Sequence, residues 1–136
     1  MRPSTSTCRI LLVEDHADTR DFMTRLLQHH GHAVATAADC ASALERAKQE
    51  RFDVLVADVG LPDGMGLELL AMMRGLYPVA GIVVSGYGTA ADVSKSEAAG
   101  FARHLTKPID GVELFSAIDD LMESRRVARR HETNEP

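Results

Sequence analysis

Short apolar runs alternate along the chain with longer segments in which apolar residues recur at the spacing of a helix. The apolar runs, which predict strands, span residues 9–13, 32–36, 52–58, 81–84 and 101–105. The helical segments span about residues 17–30, 40–49, 67–76, 89–99 and 110–130. Strict alternation with crossovers of this length predicts a parallel sheet covered by helices on both faces. The expected fold is therefore a doubly wound α/β domain with five parallel strands and five helices.

The third apolar run ends at an aspartate, and the chain then turns at Pro62 and Gly64. A short aliphatic run bounded in this way is typical of a strand buried on both faces, with Asp58 at its carboxyl end. Because parallel strands point the same way, the residues just past each strand share one edge of the sheet, where ligands bind. The polar residues collected at that edge are Glu14, Asp15, Asp58, Ser85 and Lys107.

These five residues have the chemistry of a magnesium and phosphoryl site. Close carboxylates repel each other by about 4 kcal/mol per pair at about 4 Å and an effective dielectric constant of about 20. A hard cation such as Mg²⁺ removes that conflict and can hold a phosphoryl oxygen, while Lys107 and Ser85 bind the others. Each residue alone could be a turn or cap residue. Their position at the ends of four different strands favours phosphoryl transfer.

Composition limits the alternatives. A chain of 136 residues with 45% hydrophobic content makes one domain, expected over residues 9–130 with flexible ends at 1–8 and 131–136. A formal net charge of −5 disfavours nucleic-acid binding. No apolar run is long enough for a membrane span or a signal peptide, so a cytoplasmic location is expected. Cys8 and Cys40 lack a CxxC pairing and are expected to be reduced.

Four motifs resemble the response-regulator receiver domain of two-component signalling over about residues 8–125. They are Val13-Glu14-Asp15, Asp58 with Pro62 and Gly64 after it, Val84-Ser85-Gly86 and Leu105-Thr106-Lys107-Pro108. The resemblance implies a flavodoxin-like sheet with strand order 2-1-3-4-5. It fits either a stand-alone single-domain regulator or the receiver of a hybrid histidine kinase.

The resemblance also implies a role for each acidic residue. Asp58 would be the phosphoacceptor, which attacks the phosphohistidine of a histidine kinase or a histidine phosphotransfer protein. Asp15, Asp58 and the carbonyl of Gly60 would bind Mg²⁺ directly, and Glu14 would act through water.

The remaining implied roles concern the switch. Ser85 would be the hydroxyl that moves to the phosphoryl group, and Lys107 would form an ion pair with that group. The peptide bond between Lys107 and Pro108 is expected to be cis. At the position where the family often has Tyr or Phe, this chain has His104. We interpret His104 either as a partly exposed strand residue or as a polar, pH-sensitive switch.

The expected output is a changed binding surface on the fourth helix, the fifth strand and the fifth helix, read by a downstream protein target and compatible with a homodimer. The fourth helix carries only Val93 as a larger apolar residue, which predicts weak anchoring. No membrane or nucleic-acid partner and no turnover of a separate substrate are expected. Two alternatives stay open: a phosphatase or hydrolase, although Asp58 lacks a second Asp two residues on, and a phosphate-independent docking domain.

Five other histidines lie near turns or helix ends. His16 follows the acidic pair and is interpreted as a solvent-exposed helix start, since Mg²⁺ favours oxygen ligands. His29, His30 and His32 flank a turn without regular metal-ligand spacing, and they are expected on the surface.

Overall fold

The structure, a computed structural model, describes the backbone of residues 7–86 and 90–133 and the side chains of residues 7–86 and 92–124. The ends predicted to be flexible therefore lie largely outside the described residues. No helix within the described part of the chain is long and apolar enough to cross a membrane.

Five strands form one parallel sheet, as the alternating pattern predicts. They are β1 (Arg9–Val13), β2 (Ala33–Ala37), β3 (Val54–Asp58), β6 (Ala80–Ser85) and β7 (Arg103–Thr106). Their order across the sheet is β2-β1-β3-β6-β7, which confirms the predicted 2-1-3-4-5 order. The numbering differs because two short strands, β4 (Gly60–Leu61) and β5 (Gly64–Met65), pair as an antiparallel hairpin where only a turn is predicted.

Five helices connect the strands: α1 (Ala17–His29), α2 (Cys40–Gln49), α3 (Gly66–Arg74), α4 (Ala90–Ala98) and α5 (Gly111–Thr133). The bounds lie within about three residues of the prediction, and β7, for example, begins at Arg103 rather than at Phe101. The backbone N–H of Phe101 donates to the carbonyl of Ser96 at 3.0 Å and so closes the end of α4. Its side chain is nevertheless buried in the core, which explains the apolar signal.

The sheet separates two apolar layers because successive strand residues face opposite sides. On one face, α1 and α5 cover the sheet with Met23, Leu27, Leu114, Ala117 and Ile118. On the other face, α2 and α3 cover it with Cys40, Ala43, Ala47, Leu69, Leu70 and Met73. Each fully buried leucine among them contributes roughly 1.5–3 kcal/mol. The two layers fix the carboxyl ends of the strands and leave that edge to polar residues.

Helix α4 differs from the other four. Among its described side chains, which begin at Asp92, only Ser96 is buried. The small apolar contribution predicted for this helix is confirmed, and its contact with the sheet is partly polar.

The expectation that all three clustered histidines lie on the surface is wrong for His32, whose exposed fraction is 5%. The residue stands just before β2, where its backbone N–H donates to the carbonyl of Leu27 at 3.1 Å. Its ring nitrogen Nδ1 accepts a hydrogen bond from the backbone N–H of Cys8 at 3.2 Å. These two bonds hold the ring under the α1–β2 turn instead of in solvent.

Candidate functional site

The carboxyl edge of the sheet brings three of the predicted charged residues into direct contact. The ammonium of Lys107 donates to Oδ2 of Asp58 at 2.8 Å and to Oε1 of Glu14 at 3.1 Å. Glu14 follows β1, Asp58 ends β3 and Lys107 follows β7, so the contact joins the ends of three strands. We call Glu14, Asp58 and Lys107 the ionic cluster.

The ionic cluster is largely withdrawn from solvent, with 2% of the Glu14 side chain, 13% of that of Asp58 and 27% of that of Lys107 exposed. Burial works against the charge of Lys107, but the hydrogen bonds and charges of Asp58 and Glu14 outweigh it and raise the pKa of the ammonium. Lys107 is therefore fully charged at neutral pH. One cation holds two carboxylates that would otherwise repel each other.

Glu14 has a second set of donors on its other carboxylate oxygen. Its Oε2 accepts from the backbone N–H of His16 at 3.0 Å and lies 2.9 Å from Nδ1 of the same residue. Burial favours the neutral acid, yet the bonds from His16 and Lys107 hold the pKa of Glu14 below its ordinary value. The carboxylate is therefore ionised, and each of its two oxygens accepts a hydrogen bond.

His16 precedes α1 as its N-cap residue, and 71% of its side chain is exposed, which confirms the predicted exposed helix start. Its hydrogen bond to Glu14, followed by the charges of Asp15 and Glu14, raises the pKa of the ring. The imidazole serves the acidic pair as a hydrogen-bond partner from the solvent side.

The oxygen donors at this edge fit a hard cation. Asp15 is exposed beside Glu14, and ligand atoms of Glu14, Asp15 and His16 all lie within 4.8 Å of one another. Gly60 is exposed, its N–H lies 3.4 Å from Oδ1 of Asp58, and a Cβ built there would have no neighbour within 4 Å. Carboxylate and carbonyl oxygens facing solvent are what Mg²⁺ prefers, because it keeps several of its waters.

Gly66, a glycine that the sequence reasoning missed, packs closely against the backbone of Asp58. Gly66 begins α3, and its N–H donates to the carbonyl of Val59 at 2.9 Å. A Cβ at Gly66 would lie 2.3 Å from the backbone oxygen of Asp58, so no other residue fits without movement of the backbone. The second glycine of the Gly64-Met65-Gly66 stretch, at the start of a predicted helix, is the signal that could have revealed it.

Ser85 takes part in a different set of contacts. Its Oγ lies 2.9 Å from Nε2 of His104, and Nδ1 of that ring lies 3.1 Å from Oγ of Ser96. Ser85 and Ser96 are buried, with exposed fractions of 3% and 2%. We call Ser85, His104 and Ser96 the serine–histidine chain, and it connects the end of β6 through β7 to α4.

Ser96 is the member of this chain that sequence reasoning missed. Its hydroxyl also donates to the carbonyl of Asp92, one helical turn earlier, at 3.1 Å. The signal was its helical spacing, since Ser96 follows Val93, the one larger apolar residue of the predicted helix, by three residues and so shares its face. The serine–histidine chain borders a cavity of about 160 Å³ that is also lined by Asp92 and Lys95.

The predicted cis peptide bond between Lys107 and Pro108 is present.

The family model for the response regulator receiver domain matches residues 10–119. The response regulator receiver protein CpdR of Brucella abortus is 32% identical over 115 residues, which cover 84% of this chain and 96% of that protein. A crystal structure of a CheY-like response regulator receiver domain protein from Methanospirillum hungatei superposes with a TM-score of 0.83 at 28% identity, over 90% of this chain and 98% of that one.

Other relatives are much longer than this chain. The sensor histidine kinase AruS of Pseudomonas aeruginosa is 44% identical over 71 residues, which cover 52% of this chain and 7% of the kinase. The chain spans 27% of the length of another curated relative, a transcriptional regulatory protein of Escherichia coli. The same kind of unit therefore occurs within proteins of several architectures.

Proposed function

Because this chain belongs to the response regulator receiver domain family of two-component signalling, we propose that it accepts a phosphoryl group from a phosphohistidine onto Asp58. The observation that carries the proposal is the contact of Lys107 with both Asp58 and Glu14, at 2.8 and 3.1 Å. Because Lys107 already contacts the carboxylate of Asp58, its positive charge can also stabilise the negative charge of the incoming phosphoryl group.

In the proposed reaction, a carboxylate oxygen of Asp58 attacks the phosphorus of the partner's phosphohistidine. A P–O bond forms, the P–N bond breaks, and the leaving imidazole of the partner keeps the electron pair and takes a proton from solvent. Lys107 stays within reach of the three phosphoryl oxygens. We propose no turnover of a separate substrate, since the chain is itself the acceptor.

The residues that would hold Mg²⁺ are Asp15, Asp58 and the carbonyl of Gly60, with Glu14 behind them through water. When bound, the ion supplies neutralisation of the phosphoryl oxygens and of the crowded carboxylates. Glu14 keeps its hydrogen bonds to His16 and thereby stays ionised at the base of the site. Asp15, which is exposed, can reach toward the solvent side of Asp58.

We propose that the serine–histidine chain is the switch. Because the hydroxyl of Ser96 donates to Asp92, its oxygen is left to accept from Nδ1–H of His104, and Nε2 then accepts from the hydroxyl of Ser85. When that hydroxyl turns to a phosphoryl oxygen, its hydrogen bond to Nε2 of His104 is released. The rearrangement then reaches Ser96 of α4 through the ring of His104.

The charged groups that line the same cavity are Asp92 and Lys95 of α4, which are of opposite sign. The switch is tested by ¹⁵N NMR of the His104 ring at one fixed pH, before and after addition of beryllofluoride as a phosphoryl analogue. The ring nitrogen signals are expected to shift, because the hydrogen bond between Ser85 and Nε2 is released. An unchanged ring signal would remove His104 from the switch and leave Ser85 alone in that role.

The proposed output surface consists of α4, β7 and α5. Ser96 belongs to α4 and His104 to β7, so a change at Ser85 reaches two of these three elements through two hydrogen bonds. A histidine kinase or a histidine phosphotransfer protein would supply the phosphoryl group. A downstream protein, or a second copy of the chain, would bind the changed surface.

The function is tested by incubating the chain with Mg²⁺ and acetyl phosphate, followed by measurement of the intact mass. We expect an acid-labile gain of one phosphoryl group that disappears in Asp58→Ala and on removal of Mg²⁺. Half-buried Asp53, in the turn before β3 and so at the opposite end of that strand from Asp58, supplies the matched control Asp53→Ala. Unchanged mass would favour the phosphate-independent docking domain, and steady hydrolysis of varied phosphoesters would favour an enzyme.

A further inference from the structure

A second polar cluster lies where the α1–β2 turn meets α5, outside the ionic cluster and the serine–histidine chain. It consists of His30, His32 and Asp119, whose ligand atoms all lie within 4.8 Å of one another. His30 is stacked on Phe115 of α5 with ring centroids 4.1 Å apart and an interplanar angle of 1°. Its Nε2 lies 3.6 Å from Oδ2 of Asp119. We call these three residues the histidine cluster.

Two atoms of the histidine cluster are buried without a hydrogen-bond partner. Among the described side chains they are Nε2 of His32 and Oδ1 of Asp119. Only 5% of His32 is exposed, so its Nε2 has no access to bulk water. A buried polar atom without a partner costs about 1–3 kcal/mol, and native proteins seldom leave two such atoms side by side.

Two imidazoles and one carboxylate are the ligand types that Zn²⁺ prefers, whereas Mg²⁺ and Ca²⁺ prefer oxygen alone. Zn²⁺ bonds of about 2.0–2.2 Å require ligand atoms to lie roughly 3.3 Å apart in a tetrahedron. The ligand atoms of the histidine cluster, which lie within 4.8 Å of one another, are therefore slightly too far apart for Zn²⁺. A small movement of His30 shortens its distances to the other two ligands. That movement is available because 34% of the His30 side chain is exposed at the end of α1.

The surroundings of His32 allow it to act as a neutral ligand. Burial, followed by the charge of neighbouring His30, lowers the pKa of His32, so the ring carries one hydrogen at neutral pH. In the metal-free protein the N–H of Cys8 donates to Nδ1, which places the ring hydrogen on Nε2. Ligation through Nε2 moves that hydrogen to Nδ1, so the bond from the backbone N–H of Cys8 is given up and Sγ of Cys8, 3.5 Å from Nδ1, accepts the hydrogen instead.

We infer that His30, His32 and Asp119 form a binding site for Zn²⁺ that joins the α1–β2 turn to α5, with water completing the coordination. The site uses none of the residues of the ionic cluster. Its occupancy can therefore be measured without phosphoryl transfer to Asp58.

The test is titration of the full chain with Zn²⁺ in excess Mg²⁺, followed by calorimetry and by the NMR signals of the histidine rings. The excess Mg²⁺ occupies the oxygen ligands near Asp58. We expect the first equivalent of Zn²⁺ to shift the ring signals of His30 and His32. We also expect His30→Asn and Asp119→Asn to weaken binding at least tenfold.

His29 supplies the matched control, because it is the exposed neighbour of His30 and lies outside the cluster. His29→Asn should leave the dissociation constant within about twofold of the parent protein. Both test variants change partly exposed side chains, so their folding can be verified by circular dichroism without reliance on a His32 variant. Equal affinities in all variants, or signal shifts confined to His16, would overturn the site.

Discussion

The ionic cluster and the serine–histidine chain both lie at the carboxyl edge of the sheet, and they differ in how their contacts respond to change. In the ionic cluster, Lys107 attracts Glu14 and Asp58 by charge, which acts in every direction and falls slowly with distance. In the serine–histidine chain, each contact depends on where one hydrogen points. The first can absorb a new charge with small shifts, whereas the second changes state when one hydroxyl turns.

The difference suggests a division of labour. In the proposed function the ionic cluster would bind and neutralise the phosphoryl group, because the charge of Lys107 attracts an anion regardless of its orientation. The serine–histidine chain is suited to reporting the event, because it ends on Ser96 of α4, the helix with the least apolar burial among its described residues. The contacts of the ionic cluster depend mainly on charge, whereas those of the serine–histidine chain depend on the orientation of single hydrogens.

The largest effect is expected at Gly66, which packs directly against the backbone of Asp58. Gly66→Ala places a Cβ at 2.3 Å from the carbonyl oxygen of Asp58 and should lower the free energy of unfolding by about 3 kcal/mol. Gly60→Ala is the matched control, since its Cβ meets no atom within 4 Å, and should stay within about 0.5 kcal/mol. Urea denaturation measures both. Equal losses would mean that the close approach at Gly66 does not restrict the backbone at Asp58.

Removal of the ammonium tests the ionic cluster alone. Lys107→Met leaves the carboxylates of Glu14 and Asp58 without their shared cation and should lower the free energy of unfolding by about 1–2 kcal/mol, after allowance for partial exposure. Added Mg²⁺ should recover part of that loss, because a divalent cation can replace the missing charge.

Lys95→Met on α4 is the control for Lys107→Met, because Lys95 is an exposed lysine outside the ionic cluster. The two variants are compared by thermal and urea denaturation with and without Mg²⁺. A Mg²⁺-dependent recovery in both variants, or in neither, would argue against charge as the force that holds the cluster.

Replacement of the imidazole tests the other set of contacts. His104→Phe keeps a ring of similar shape but removes the bonds to Ser85 and Ser96, at an expected cost of about 1 kcal/mol. In that background Ser96→Ala should cost less than in the parent protein, with a coupling of about 0.5 kcal/mol or more. A double-mutant cycle by urea denaturation measures it. Additive losses would show that His104 and Ser96 do not act together.

The smallest effect is expected at low pH, where the ionic cluster loses the charge of Glu14. Because the folded state holds the pKa of Glu14 below its unfolded value, Glu14 contributes stability above about pH 4.5, and that contribution is lost as the pH falls through the lowered pKa. Urea midpoints measured from pH 6 down to pH 3 should therefore fall less steeply in Glu14→Gln. Exposed Glu45 supplies the control Glu45→Gln, which should follow the parent curve.

The sequence by itself determined the fold class and the strand ends that carry Glu14, Asp15, Asp58, Ser85 and Lys107. The reason is periodicity: a buried parallel strand is an apolar run, and its end is marked where polarity begins. The same signal misplaced the start of β7, because Phe101 is buried by its side chain while its backbone closes α4.

The tertiary structure alone decided which of these residues touch. That Lys107 lies on both Glu14 and Asp58, that His104 joins Ser85 to Ser96, and that Gly66 supports the carbonyl of Asp58 are contacts across different strands and helices. The burial of His32 beside Asp119 belongs with them, since residues 87 positions apart carry no local signal of proximity. Periodicity reports the face on which a residue lies, but only packing of the finished sheet and helices sets the distance to its partner.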